Sequence, residues 1–164
     1  MPQSQIKIRT ASLDDARNIF LLIQNNIDQL VPRSTSDIVQ NIDRFLVAEL
    51  PDGELGGVIC YAFYPEIGEP TKSCVEIKSV CVRKDLRKLG LGRQLVKAQI
   101  ERLRKFKPAQ IVVLTFAPEF FEKLGFKKVP KETLMHKLYI GCINCTKHES
   151  PFTCPEIAMA LTDL

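Results

Sequence analysis

The segment RKDLRKLGLGRQLV, residues 83–96, constrains the fold of this chain most. It contains a glycine-rich turn that connects an apolar strand to a helix. The apolar run VEIKSVCV precedes it, and a helical pattern continues until Pro108. Gly90 and Gly92 lie at the turn, and ten basic but only two acidic residues fall between Arg83 and Lys107. The segment therefore combines accessible backbone, the positive end of a helix and cationic side chains.

The first N–H groups of a helix have no partner within it, so they bind anions, and glycine lets an anion approach the backbone. We expect RKLGLG, residues 87–92, to cradle a pyrophosphate, with charge from Arg87, Lys88 and Arg93. The segment is not a Walker loop, because no GK[ST] follows, and it lacks the third glycine of the dinucleotide fingerprint. A helix start whose glycines serve only packing is the alternative.

Before the cradle, the pattern predicts a strand at IKIRTA and then a helix that Ser12 caps. The apolar positions of this helix recur at helical spacing: Ala16, Ile19, Phe20, Ile23 and Ile27. A short second helix follows, capped by Ser34 or Ser36. The runs FLVAEL and GVICYAFY flank the turn PDGELG and predict a hairpin.

The strand before the cradle, SCVEIKSVCV, alternates so that one face carries Glu76, Lys78, Val80 and Val82. After the cradle helix, QIVVLTF predicts a buried strand, PEFFEKLGF a short helix and EIAMALT a last strand. This order predicts a mixed α/β fold with a βαβ crossover in the C-terminal half.

Composition bounds the class of protein. The 164 residues are 45% hydrophobic and 26% charged, which predicts one globular domain over residues 1–164. No apolar stretch could span a bilayer, and the start MPQSQIKIRT has no apolar signal region. We therefore expect a cytoplasmic protein that does not bind membranes.

The stretch VEIKSVCVRKDLRKLGLGRQLV resembles the acetyl-CoA-binding segment of the GNAT acetyltransferase superfamily. Its V-x-V strand end is Val80-Cys81-Val82, and its R-x-x-G-x-G turn is Arg87-Lys88-Leu89-Gly90-Leu91-Gly92. The downstream hallmark EKLGF stands at 122–126. The resemblance implies a mostly antiparallel central sheet flanked by helices, acetyl-CoA as cosubstrate, and main-chain contacts from Val80 to Val82 to the pantetheine arm and the acetyl carbonyl.

The chain also resembles the short, single-domain N-acetylglutamate synthases, from about residue 6 to 161. The shared segments are LVPRS at 30–34, FLVAE at 45–49, VLTFAPEFFEKLGF and the tail MHKLYIGCINCTK…CPEIAMA. This resemblance implies acetylation of the α-amine of glutamate, a step of arginine biosynthesis.

Three side chains are candidates for the chemistry. Glu76 corresponds by position to the glutamate that some GNAT enzymes use as a base, and an acid in an apolar strand is costly unless it is paired or functional. Lys78 and Arg33 could each meet a substrate carboxylate, Arg33 with bidentate geometry. The structural alternatives are Glu76 paired with Lys78 or another cation at a sheet surface, a plain surface pair for Lys78, and a solvated loop arginine for Arg33.

One position departs from the family pattern. Many GNAT enzymes have a tyrosine where this chain has Phe121, and that tyrosine protonates the departing CoA thiolate. Phe121 cannot donate a proton. A thiol of pKa about 8.5 leaves without full protonation, so solvent can complete the step.

The C-terminal segment, residues 131–164, should pack on the same domain and carries Cys142, Cys145, His148 and Cys154. Three thiols and an imidazole can fill a tetrahedral zinc shell, although this spacing does not match the usual zinc knuckle. Reduced cysteines packing a loop are the favoured interpretation, and a redox-active CxxC pair is a further alternative. We assign no metal ligand.

The leading hypothesis is an acyltransferase that moves acetyl from acetyl-CoA to a free amino acid, most plausibly L-glutamate. The alternatives are a protein or peptide N-acetyltransferase and a non-catalytic acyl-CoA-binding module. Nucleic acid is disfavoured, because the basic region lacks interleaved aromatic residues. A homodimer is compatible with the sequence.

Overall fold

The computed structural model describes residues 6–66, 69–134, 137–142, 145 and 147–164. Its strands are β1 (Lys7–Thr10), β2 (Leu46–Glu49), β3 (Leu55–Glu66), β4 (Glu69–Val82), β5 (Gln110–Thr115), β6 (Lys127–Lys128) and β7 (Ile157–Leu161). Its α-helices are α1 (Ala16–Gln24), α2 (Thr35–Gln40), α3 (Leu91–Arg104) and α4 (Pro118–Glu122). A π-helical turn spans Leu138–Cys142.

The strands form a seven-stranded sheet in the order β1-β2-β3-β4-β5-β7-β6. The pairs β1–β2, β2–β3, β5–β7 and β6–β7 are antiparallel, whereas β4 and β5 are parallel. Helix α3 connects the two parallel strands, as the predicted βαβ crossover requires. The predicted fold class, a mixed α/β fold with a mostly antiparallel sheet flanked by helices, is confirmed.

The described chain groups into two compact units. The first holds the residues up to Tyr61 together with Ile77–Glu101, and the second holds Ala62–Glu76 together with Arg102–Leu164. A core of the first unit includes Ile19, Ile23, Ile38, Phe45 and Val58. A core of the second includes Tyr64, Cys74, Val112, Leu134 and Ala158. No helix within the described ranges is both long and apolar enough to cross a membrane.

Helix α1 ends one turn earlier than the sequence pattern predicts. It stops at Gln24, and Ile27, predicted to continue its apolar face, is 40% exposed in the following turn. The buried side chain of Asn26 explains the stop, because its Nδ2 donates to the carbonyl of Leu22 at 2.7 Å. A short amide that bonds the last turn competes with continuation of the helix.

Helix α2 begins at the predicted serine motif. The Ser34 hydroxyl accepts a hydrogen bond from the Asp37 N–H at 3.1 Å, so Ser34 rather than Ser36 is the cap. This cap fixes the backbone directly after Arg33. The preceding arginine is therefore attached to an ordered helix start rather than to a long free loop.

The second unit contains one arrangement that the sequence did not predict. Strand β7 lies between β5 and β6, with Val113 opposite Met159 and Lys127 opposite Ala160. The helix predicted between Pro118 and Gly125 is present, with Pro118 in its first turn and Gly125 in the left-handed region at φ 92°. The short strand β6 follows this turn directly.

Candidate active site

The turn between β4 and α3 has the form that the cradle prediction requires. After Val82, Lys88 and Gly90 adopt left-handed φ values of 66° and 83°, and α3 begins at Leu91. The Gly90 carbonyl accepts a hydrogen bond from the Gln94 N–H at 3.1 Å, which makes Gly90 the start of the helical ladder. The N–H groups of Leu91, Gly92 and Arg93 therefore occupy the first turn, where a helix offers its donors to an anion.

The basic side chains of the cradle divide into two kinds. Lys88 and Arg93 are exposed, so the charges of these two side chains face solvent. Leu89 is exposed as well. Arg87 is half-buried: its Nη2 donates to Oδ1 of Asn26, and its Nε donates to the Val82 carbonyl at 3.4 Å. Arg87 therefore ties the turn to the end of α1 while Lys88 and Arg93 supply the exposed charge.

The strand end before the cradle packs through its middle residue. Val80 and Val82 are half-buried, whereas Cys81 is buried and its thiol donates to the Leu22 carbonyl at 3.6 Å. Burial raises the pKa of the Cys81 thiol to about 11, so this cysteine is neutral at physiological pH. The middle side chain of this segment thus serves packing, and the main-chain role of Val80 to Val82 stays a prediction.

Strand β4 is irregular just before this segment. Ser79 has φ 55°, in the left-handed region that a β-strand residue does not normally occupy. The alternation predicted to place Glu76, Lys78, Val80 and Val82 on one face is therefore interrupted at Ser79. The sequence did not predict this interruption, because the position holds neither glycine nor asparagine, the residues that most readily adopt a left-handed backbone.

Arg33 is not a solvated loop arginine. Its side chain is only 11% exposed, its Nε lies 2.5 Å from Oδ2 of Asp37, and its guanidinium stands 4.9 Å from the centroid of the Phe45 ring. Its Nη1 also donates to Oγ of Ser79 at 3.3 Å. The structure thus brings Arg33 to β4, one residue before Val80.

Lys78 belongs to the same neighbourhood as Arg33. Burial raises the pKa of the Cys60 thiol, and the charges of Arg33 and Lys78 oppose that shift. Lys78 also directly precedes Ser79, whose hydroxyl accepts a hydrogen bond from Nη1 of Arg33. Two of the three predicted chemical side chains therefore lie at or beside this contact in the first unit.

Glu76, the third, lies in the second unit and is buried. Its Oε1 is 3.1 Å from Nζ of Lys137, and its Oε2 accepts a hydrogen bond from the Tyr64 hydroxyl at 3.1 Å. Burial and the charge of Glu76 raise the pKa of Tyr64, so the phenol stays protonated and donates. The alternative that Glu76 pairs with a cation holds, with Lys137 as the partner, but the pair is not at the sheet surface, because Glu76 is 4% exposed.

Lys137 has a second partner besides Glu76. Its Nζ lies 2.9 Å from Sγ of Cys142. Burial lowers the pKa of Lys137, but the charge of Glu76 and the contact with Cys142 outweigh it, and the pKa is raised on balance. Tyr64, Glu76 and Lys137 are buried and, together with the half-buried Cys142, form a polar cluster that we call the Glu76 cluster.

The cysteine tail does not assemble as a metal centre in the described residues. No group of three or more histidine, cysteine or acidic side chains is arranged there to hold a metal ion. Cys142 contacts Lys137, while the Cys154 thiol donates to Glu156 at 3.5 Å. The two cysteines therefore have separate partners.

Phe121 is a core residue. It is buried and packs edge-to-face against Phe120 and Phe126, with ring centroids 5.0 and 5.4 Å apart. The sequence analysis missed Tyr64, Lys137, Ser79 and Asn26. Tyr64 and Lys137 stand in apolar contexts, YAFY and HKLY, that give no sign of a shared partner.

Comparison with known proteins identifies the family of this chain. Residues 41–128 match the family described as "Acetyltransferase (GNAT) domain". An uncharacterized N-acetyltransferase of Chlorobaculum tepidum is 32% identical over 164 residues, and the match covers 99% of each chain.

Several solved structures have a similar fold. N-acetylglutamate synthase from Neisseria gonorrhoeae, complexed with coenzyme A and N-acetyl-glutamate, has a TM-score of 0.76 at 21% identity; the match covers 94% of this chain but 34% of that one. A Mycobacterium tuberculosis protein in complex with CoA has a TM-score of 0.76 at 21% identity, with 96% and 99% coverage. A Staphylococcus aureus GNAT-family acetyltransferase has a TM-score of 0.66 at 14% identity, with 94% and 97% coverage. This chain thus spans about a third of the gonococcal synthase.

Proposed function

The chain belongs to the GNAT acetyltransferase family, and on that premise we propose that it acetylates the α-amine of a free amino acid, with L-glutamate as the preferred substrate. It is an acetyl-CoA-dependent N-acetyltransferase, and acetyl-CoA is its cosubstrate. The amino-acid substrate is our inference. If it is glutamate, the reaction is the acetylation that arginine biosynthesis uses.

One observation supports an amino-acid substrate above the others: the contact between Arg33 and Ser79. It places a shielded guanidinium one residue before Val80, at the strand whose main chain would hold the acyl arm. A carboxylate bound by Arg33 would bring the attached amine close to the thioester. A guanidinium has five N–H donors, and its contacts with Asp37, Ser79 and Cys60 do not exhaust them.

The cradle would hold the cofactor. First-turn N–H groups of α3 and the exposed cations Lys88 and Arg93 suit the pyrophosphate of CoA. Holding the thioester and the amine together supplies much of the rate enhancement in a two-substrate transfer, because the reaction becomes effectively unimolecular. The main chain of Val80 to Val82 would orient the acyl arm and polarise its carbonyl.

Glu76 would remove the amine proton, directly or through a water molecule. A buried carboxylate needs a counter-charge, which Lys137 supplies. Lys137 contacts Oε1 and Tyr64 donates to Oε2, so both contacts orient the carboxylate within β4. The amine then attacks the thioester carbon, the carbon–sulfur bond breaks, and CoA leaves as a thiolate that solvent protonates.

Lys78 would contribute positive charge on the carboxylate side of the substrate. Lys78 directly precedes Ser79, the residue that Arg33 contacts, so a dicarboxylic amino acid would meet two cations there. This charge favours glutamate or aspartate over neutral amino acids. It also disfavours a peptide substrate, whose N-terminal residue has no free α-carboxylate.

The test is thiol release from acetyl-CoA with a panel of the twenty free amino acids and a peptide with a free N-terminus. We expect glutamate to give the highest kcat/KM. A response to the peptide but to no free amino acid would establish the protein-acetylating alternative. Binding of acetyl-CoA without turnover of any amine would leave a non-catalytic binding module.

A further inference from the structure

Cys142 and Cys145 are joined by a main-chain hydrogen bond. The Cys145 N–H donates to the Cys142 carbonyl at 3.0 Å. A main-chain hydrogen bond between residues three apart brings their Cα atoms within about 7 Å of each other. A disulfide needs Cα atoms about 4.4–6.8 Å apart, so these two cysteines suit one with little backbone movement.

Cys142 also has the surroundings of a reactive thiol. Its sulfur receives the Lys137 ammonium group at 2.9 Å, and the residue is partly open to solvent. Thiols that react with peroxides are accessible and lie beside a cation, because the thiolate is the nucleophile. Cys145, its hydrogen-bonded neighbour, is equally half-buried and can serve as the resolving thiol.

The other cysteines lack this combination. Cys60, Cys74 and Cys81 are buried, and burial raises the pKa of Cys60 and Cys81. Cys154 is half-buried, but its thiol faces the Glu156 carboxylate and burial raises its pKa as well. Cys154 is therefore a matched control for Cys142, with similar exposure but an anionic neighbour.

We propose that Cys142 and Cys145 are a site of reversible oxidation by hydrogen peroxide, and that the disulfide they form slows acetyl transfer through Lys137 and Glu76. The second half rests on the proposed function, since it assumes that Glu76 accepts the amine proton. The first half, disulfide formation at this site, does not depend on it.

The oxidation balances with one equivalent of peroxide. The Cys142 thiolate attacks a peroxide oxygen, the O–O bond breaks, and a sulfenic acid and one water form after proton transfer. The Cys145 thiol then attacks the Cys142 sulfur, the S–O bond breaks, and a second water leaves. Two thiols lose two protons and two electrons, and a thiol reductant reverses the change.

The disulfide would change the electrostatics of the Glu76 cluster. Formation of the S–S bond turns the Cys142 sulfur toward Cys145, which weakens its contact with Nζ of Lys137. The buried ammonium then depends more heavily on Glu76 at 3.1 Å. A carboxylate bound more tightly to a cation accepts a proton less readily, which makes it a weaker base.

The first experiment measures the modification alone. Reduced full-length protein is treated with hydrogen peroxide, alkylated and mapped by mass spectrometry. We expect a peptide containing a Cys142–Cys145 disulfide, two hydrogens lighter than the dithiol, which is absent from Cys145→Ser and present in Cys154→Ser. Failure to find it when a model dithiol peptide is fully oxidised would overturn the proposal.

The second experiment measures the formation of N-acetylglutamate by mass spectrometry before and after peroxide treatment. This assay does not rely on detecting a released thiol, so residual peroxide does not disturb it. We expect a roughly tenfold fall in kcat that dithiothreitol restores, since a general base contributes 10²–10⁴-fold and is here weakened rather than removed. Cys145→Ser and Cys142→Ser should resist this reversible loss. Equal reversible loss in these variants, or a disulfide without any loss, would overturn the link to Glu76. A protein inactive with every amine would instead refute the proposed function, while the mass map still decides the disulfide.

Discussion

Nζ of Lys137 lies 3.1 Å from Oε1 of Glu76, and both side chains are shielded, with 5% and 6% of their surfaces exposed. Removing one member of a buried ion pair leaves an uncompensated charge, whereas removing both leaves an apolar gap. The pair therefore allows the structural and chemical roles of Glu76 to be separated.

We expect Glu76→Gln to lower the free energy of unfolding by about 3–5 kcal/mol, because the Lys137 ammonium loses its counter-charge. The double variant Glu76→Gln/Lys137→Met should recover most of this stability in urea unfolding. It should not recover acetylation, which we expect to stay roughly 10²-fold or more below wild type. Full activity in the double variant would show that Glu76 is not the base. The control is Glu119→Gln, because the carboxylate of Glu119 is exposed.

Replacing Arg33 by lysine should raise the KM for glutamate roughly 10- to 100-fold and leave the KM for acetyl-CoA nearly unchanged. A lysine cannot contact Asp37, Ser79 and a substrate carboxylate at once, as the guanidinium can. Initial rates over both substrates measure the split. The control Arg17→Lys, at an exposed position of α1, should have the KM values of wild type. An unchanged KM for glutamate in Arg33→Lys would refute the binding of the substrate carboxylate by Arg33.

Gly90→Ala should weaken the binding of CoA in calorimetry, because a Cβ at φ 83° strains the turn that presents the first N–H groups of α3. The strain itself should cost about 1–2 kcal/mol of stability. Gly53→Ala is the matched control: Gly53 has φ 85°, and a Cβ there would meet no atom within 4 Å. Both variants should lose similar stability, but only Gly90→Ala should lose CoA affinity, and equal CoA binding by both would contradict the cradle.

Stability should fall in acid through Asp15. The Arg9 guanidinium, bonded to it at 2.7 and 3.0 Å, holds the pKa of Asp15 below its usual value, although burial opposes the shift. A lowered pKa in the folded state gives stability that is fully present above the unfolded pKa of about 3.9. This stability is lost as the pH falls through the folded pKa.

Asp15→Asn should therefore cost on the order of 2 kcal/mol at pH 7 and should flatten the acid side of the stability profile. Urea unfolding between pH 3 and 7 measures both effects. Asp14→Asn, at the exposed neighbouring position, should change neither. Parallel profiles for wild type and Asp15→Asn would contradict this role of the ion pair.

Local features of the fold could be predicted from the sequence. Gly90 follows a strand and precedes an amphipathic helix, Pro118 and Gly125 bound α4, and Ser34 caps α2, because each choice is made by a few neighbouring residues. The parallel pairing of β4 with β5 followed from the helix between them.

The Glu76 cluster could not be predicted in the same way. Glu76 was recognisable as an acid in an apolar strand, but its partners Tyr64 and Lys137 come from 12 and 61 positions away along the sequence. Nothing in a local pattern shows which distant cation compensates a buried acid. The left-handed backbone of Ser79 could not be predicted either, because the surrounding strands impose it and serine has no preference for it.

The position of β7 between β5 and β6 has a consequence for how this protein is made. The strand that joins the other two is the last of the three to leave the ribosome, so the earlier pair has unsatisfied edges while synthesis continues. Nascent chains stalled before Ile157 should therefore expose unpaired strand edges and bind chaperones. Emergence of Ile157–Leu161 should allow this part of the sheet to close.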